Sequence, residues 1–87
     1  MSTQRITLEP DPPVAGQALK VCYDFAGSGI TETTLRIEYD PSRGTSDEEV
    51  SISDPCVTVT VPSGATAIAV TDIDGPSVPK TAPVVPS

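Results

Sequence analysis

Apolar side chains return at every second position of this chain, in short runs separated by proline, glycine and polar clusters. That is the period of a half-buried β-strand, and helical periodicity is nearly absent. In "RITLE", Ile6 and Leu8 share one face while Arg5, Thr7 and Glu9 share the other. "PDPPVAGQ" then breaks the run, and "ALKVCYDF" resumes with Leu19, Val21, Tyr23 and Phe25 inward and Lys20, Cys22 and Asp24 outward. "TTLRIEY" sets Leu35, Ile37 and Tyr39 against Thr34, Arg36 and Glu38, and "VSIS" offers Val50 and Ile52. "CVTVTVP" turns Val57, Val59 and Val61 inward and Cys56, Thr58 and Thr60 outward, and "TAIAVT" adds Ile68 and Val70.

The breaks read as turns. "AGSG" supplies glycines that accept positive φ, and "GSG" at Gly27 to Gly29, with no helix after it, is a hairpin turn and not a phosphate cradle. "DPSRGTSDEE" reads as a polar loop, and "DIDG" as a turn with Gly75 at a positive-φ position. Six or seven strands with turn signals at even spacing predict an all-β fold, a small antiparallel sandwich. A small barrel is the alternative, disfavoured by strands that pattern with one buried face and by a proline-rich end. Residues 1–75 form the expected domain. Residues 76–87, "PSVPKTAPVVPS", hold at most an edge strand, because proline cannot donate to a ladder, or else an extended arm.

Size and composition narrow the picture. An 87-residue domain buries only about 60 to 65 per cent of its unfolded surface, and with 3 per cent aromatic residues and no Trp its core must be aliphatic. A disulfide or packing against a neighbour would help such a chain. The net charge of −7 and the scattering of Arg5, Lys20, Arg36, Arg43 and Lys80 argue against nucleic acid as a partner. No apolar run approaches the roughly 20 residues of a membrane span, so no membrane insertion is expected. The start "MSTQRITLEP" lacks the pattern of a signal peptide. The chain is therefore expected to stay in the cytoplasm, to leave by a route without a signal, or to be an excised piece, and Met1 favours a whole short reading frame.

"PDPPVAGQALKVCYDF" resembles the first hairpin of bacterial and phage immunoglobulin-like modules, where a proline-rich kink and "AGQ" precede the second strand. "VTVTVPSGATAIAVTDIDG" is similar to a later hairpin of the same fibronectin-III-like and CARDB-like group. The likeness covers most of residues 4–75 and its motifs are structural. It implies an immunoglobulin-like sandwich without the buried Trp and tyrosine corner of antibody domains, and a fit to single-domain phage decoration proteins.

In an antibody domain the disulfide pins the two sheets through the core, which requires inward cysteines. Here both cysteines share the outward face, and a one-residue slip would expose every Val instead. The core pin is rejected. If the strands of Cys22 and Cys56 are antiparallel neighbours, the two face each other across the ladder. Two readings stay open: a cross-strand surface disulfide formed in an oxidising setting, or two adjacent free thiols.

Chemistry is scarce. With no His, neither cysteine has the usual activating base, and two cysteines make no tetrahedral zinc set. No metal and no cofactor are expected. The acidic run Asp47-Glu48-Glu49 reads as solvated loop, "DIDG" lacks the remaining ligands of a calcium loop, and "PVVP" matches PxxP by chance among ten prolines. An enzyme would have to work with carboxylates and Tyr23 or Tyr39 alone. The expectation is a non-enzymatic structural or adhesive module that binds protein: a capsid or other surface assembly, or a copy of itself. The best guess is a bacteriophage capsid decoration protein on the virion surface. The alternative is an immunoglobulin-like spacer or binding module of a secreted or cell-surface bacterial protein. Contact is expected through edge strands, the loop from Asp40 to Glu49, and an arm at residues 76–87 anchored by Val78, Lys80, Val84 and Val85.

Overall fold

The computed structural model describes residues 3–40 and 48–86. Among them are seven strands and no helix: β1 (Ile6–Glu9), β2 (Ala18–Tyr23), β3 (Thr33–Asp40), β4 (Glu48–Ile52), β5 (Cys56–Thr60), β6 (Ala67–Asp72) and β7 (Lys80–Pro83). They form two antiparallel sheets, ordered β1-β2-β5 and β4-β3-β6-β7.

The inner faces meet as the alternation requires. Leu19, Val21, Leu35, Ile37, Val61 and Val70 are fully buried, joined by Ile6, Leu8, Ile68 and Ile52. Burying a Val, Leu or Ile side chain contributes about 1.5 to 3 kcal/mol, so one aliphatic cluster supplies most of the driving force. On the end strands β4 and β5, Ile52 and Val59 are buried while Val50 and Val57 are half-buried against the same cluster. Phe25 lies beyond the end of β2, half-buried, packed against the core cluster and 4.6 Å from the ring of Tyr23.

Two turns differ from their sequence reading. β2 and β3 belong to different sheets, as do β5 and β6, so Gly27 to Gly29 is an inter-sheet connection and not a hairpin. The glycines still have the expected conformational reason: Gly27 and Gly29 take φ of 70° and 80°. Glu48 and Glu49 open β4 and are not part of the polar loop, whose residues 41–47, Asp47 included, lie outside the described residues.

Of the two readings of the proline-rich end, the structure has the edge strand. Lys80–Pro83 pairs with β6 in the register Val70↔Lys80, Ala69↔Thr81, Ile68↔Ala82, Ala67↔Pro83. Pro79 precedes the strand and Pro83 closes it at a position whose backbone faces away from β6, so neither removes a ladder donor. Beyond it, Val84 is buried at 6 % exposure and donates its N–H to Thr66 (2.9 Å). Val85 donates to Pro13 and accepts from Ala15, both at 2.8 Å. At the other end of this segment Thr3 bridges Ser77 in parallel. The two chain ends thus seal one side of the sandwich.

Candidate functional site

Among the described residues, the cysteine pair, a buried carboxylate at the end of β6 and the C-terminal segment bear on a functional reading. Cys22 and Cys56 are register partners on β2 and β5, with Cα atoms 4.0 Å apart, and their sulfurs are bonded. Tyr23 donates its N–H to Pro55, which fixes the phase of this ladder. The cysteines therefore occupy a non-hydrogen-bonded position, where side chains approach most closely. Both are half-buried on the outer face, beside Thr7 of β1. The bond fastens the two strands within one sheet and does not cross the core.

One residue along β2, on the opposite face, Tyr23 reaches across the core. Its hydroxyl donates to Oδ2 of Asp72 at 2.5 Å, linking the three-stranded sheet to the four-stranded one. Asp72 closes β6 and is 7 % exposed. It accepts three further bonds: from the Thr33 hydroxyl on Oδ1, from the Gly75 N–H on Oδ1 (3.0 Å), and from the Ser77 N–H on Oδ2 (3.1 Å). Burial alone pushes the carboxyl up, but the donors from Thr33, Tyr23, Ser77 and Gly75 outweigh it and hold the group below its ordinary value. Tyr23 is pushed up to about 12 by burial and by the hydrogen bond and charge of Asp72.

This carboxylate answers what "DIDG" is for. Asp72 is no calcium ligand in waiting, since all of its acceptor capacity is directed inward. Gly75 is not at positive φ either. It is glycine because a Cβ there would sit 2.2 Å from Asp72 Oδ2 and 2.6 Å from Oδ1, closer than atoms can approach. The sequence carried a signal that went unused. Thr33 and Asp72 lie on the inward phase of their strands, with Leu35 and Ile37, and with Ile68 and Val70. A polar residue on that phase needs a buried partner.

The C-terminal segment is not poised to leave the fold. Val84 is part of the core, Lys80 Nζ pairs with Asp11 at 3.2 Å, and the Val78 N–H donates to Thr3 at 3.2 Å. Of the four expected anchors only Val85 keeps an exposed side chain, at 41 %. Residues 77–85 therefore pack along their own sandwich, with Val85 the exposed member of the expected anchors.

Elsewhere an open depression lies on the outer face of the four-stranded sheet. Glu38 and Asp40 rim it, Ala67 and Ala69 floor it, and Thr81 and Pro83 close its far side. Among the described residues no group of three or more Cys, Asp or Glu side chains is placed to hold a metal ion. No helix is long and apolar enough to cross a membrane. Compared with protein-family models, curated proteins and solved structures, the chain matches none.

Proposed function

We propose that this chain is a non-enzymatic, immunoglobulin-like module of the fibronectin-III-like kind, and that it decorates the outer surface of a bacteriophage head. The strand order supports the fold half of this reading. A constant-type immunoglobulin domain keeps its fourth strand in the sheet of strands one, two and five. Here β4 pairs with β3 instead, leaving three strands facing four.

One observation carries the functional half: the molecule's distinctive polar chemistry is spent on holding itself together. The Cys22–Cys56 bond, the Asp72 cluster and the mutual sealing of the two chain ends all act as fasteners. A small aliphatic sandwich gains rigidity from them, and rigidity suits a module that must persist outside a cell. Assembly in the cytoplasm followed by oxidation on lysis is a route by which a virion protein acquires a disulfide. The same disulfide favours the second reading, a spacer or binding module of a secreted or cell-surface protein.

Gradient-purified particles from the source, probed with an antibody to the chain, separate the two. The decoration reading expects the chain to co-migrate with heads and to label their outer surface in electron microscopy. Its absence from particles, with labelling of the cell envelope, replaces that reading with the second.

A further inference from the structure

The two sheets have four end strands, and three of them are protected against pairing with another chain. β1 carries Glu9 and runs into Pro10 and Pro12, and its flanks pair with the C-terminal segment. β7 lies between Pro79 and Pro83. β4 begins with Glu48 and Glu49. Such prolines, charges and coverings are the usual means of blunting an edge.

β5 is preceded by Asp54 and Pro55 and followed by Pro62, but no proline, charge or covering segment falls within Cys56–Thr60, and the Pro55 carbonyl faces β2. The strand's sequence is Cys-Val-Thr-Val-Thr, β-branched and uncharged, and among the described residues no strand lies on its outer side. Residues 55–71 carry no charged side chain at all, in a chain whose net charge is −7. The ladder with β2 has a known phase, set by the N–H of Tyr23 on Pro55 and the N–H of Val61 on Gln17. Val57 and Val59 therefore turn their backbone groups toward β2, while Cys56, Thr58 and Thr60 turn theirs outward. The Cys22–Cys56 bond holds the start of β5 to its neighbour, so this edge stays in register.

We infer that β5 is a strand-addition surface for a second copy of this chain, paired antiparallel about a twofold axis at Thr58. The strand is self-complementary there. With Thr58 opposite its own copy, Cys56 meets Thr60 at either side, and three hydrogen-bonded pairs form from the outward backbone groups. The alternation is preserved across the junction: Val57 of one copy faces Val59 of the other on the core side, and the threonines align on the outer side. Thr–Thr neighbours are favourable cross-strand pairs. Charge selects the same occupant. Two strongly acidic molecules can approach most cheaply along a neutral strip, and a cationic partner would find no carboxylate on this strand to recognise. The contact area is small, so the association is weak and transient. It is a property of the chain alone and stands or falls apart from the particle-decoration reading.

Sedimentation equilibrium of the purified chain tests it, from micromolar to millimolar concentration and at two ionic strengths. A monomer–dimer equilibrium that tightens with salt is expected, because screening relieves repulsion between two −7 copies. Thr58→Pro removes an outward N–H without touching the β2 ladder, and should weaken dimerisation roughly tenfold or more. Thr58→Lys keeps the N–H but sets like charges opposite each other, and serves should the proline variant not fold. Thr58→Val should dimerise as the parent does. A chain that stays monomeric to millimolar concentration at high salt overturns the inference. So does a dimer that weakens with salt, or one that survives both Thr58→Pro and Thr58→Lys unchanged.

Discussion

Replacing Asp72 by asparagine changes one atom and should cost far more than its size suggests. The carboxylate accepts two bonds on each oxygen, and each oxygen receives one hydroxyl and one backbone N–H. A hydroxyl can rotate and accept, but a backbone N–H cannot. Whichever way the asparagine amide turns, its NH₂ faces the N–H of either Gly75 or Ser77, and that donor is left buried without a partner. An unsatisfied buried group costs about 1 to 3 kcal/mol. The surviving bonds also lose their charge assistance, while the lighter desolvation of a neutral amide offsets part of the loss. A net destabilisation of about 2 to 4 kcal/mol follows, a large part of the roughly 5 to 13 kcal/mol available to a domain of this length. Tyr23→Phe should cost less, about 1.5 kcal/mol, because Oδ2 keeps the Ser77 N–H.

Urea titration followed by far-ultraviolet circular dichroism, at a series of pH values, measures both. The sign of the pH effect is fixed by the depressed folded-state value of Asp72. Its contribution is complete above the unfolded value of about 3.9 and is lost as pH falls through the lower folded value. The gap between the parent and Asp72→Asn should therefore be constant near neutrality and narrow in acid. At the alkaline end Tyr23, raised to about 12, contributes stability below about pH 10 that disappears as pH climbs toward 12. An Asp72→Asn variant as stable as the parent at neutral pH would refute the reasoning. A gap that widens in acid would do the same.

Two further outcomes follow from the fasteners. Replacing Cys22 and Cys56 together by serine releases a loop of 34 residues in the unfolded chain, and should lower stability by about 3.5 to 4 kcal/mol in a denaturant titration. Truncation after Gly75 removes β7, takes Ala82 and Val84 out of the core and takes the Ser77 N–H from Asp72; it should abolish cooperative thermal unfolding. A truncated chain that melts as sharply as the parent would restore the detachable-arm reading.

The strands and their faces were legible because period-two alternation is a local property. Leu19 and Val21, Leu35 and Ile37, and Ile68 and Val70 declare their common face without reference to any partner. The outward phase of both cysteines came from the same rule. Whether they bond depends on the exact stagger of β2 against β5, which no single strand encodes. The Asp72 cluster was hidden for a different reason. Its members are separated by 49, 39, 3 and 5 residues in sequence, so only the closed sandwich brings Tyr23 and Thr33 to the β6 end. The C-terminal strand was masked by composition. Four prolines in the last twelve residues resemble a disordered tail, yet they sit at positions where a missing N–H costs the ladder little.

The fasteners are unevenly placed, and their placement bears on how the molecule moves. Residues 22 and 23 are adjacent on β2 but point to opposite faces, one bonded to β5 on the outer side and the other hydrogen-bonded to Asp72 through the core. The end of β2 is thus tied both within its sheet and across to the other. The β1 and β7 side is tied again by the paired chain ends, with Arg5 N–H on Ser77 Oγ and Val85 N–H on Pro13. On the opposite side, where β4 and β5 end their sheets, Ile52 and Val59 are buried but Val50 and Val57 are only half-buried, and among the described residues the ties are the disulfide and the exposed Arg36–Glu49 pair. Local opening begins where buried apolar contact is thinnest and backbone groups face solvent. By that criterion the β4–β5 side is the yielding side of an otherwise tightly latched sandwich. It is also the side that presents the uncharged edge of β5. A strand added there would complete the fastening that the fold leaves undone, so pairing at Thr58 should slow amide exchange along β5 first and leave the Asp72 end unaffected.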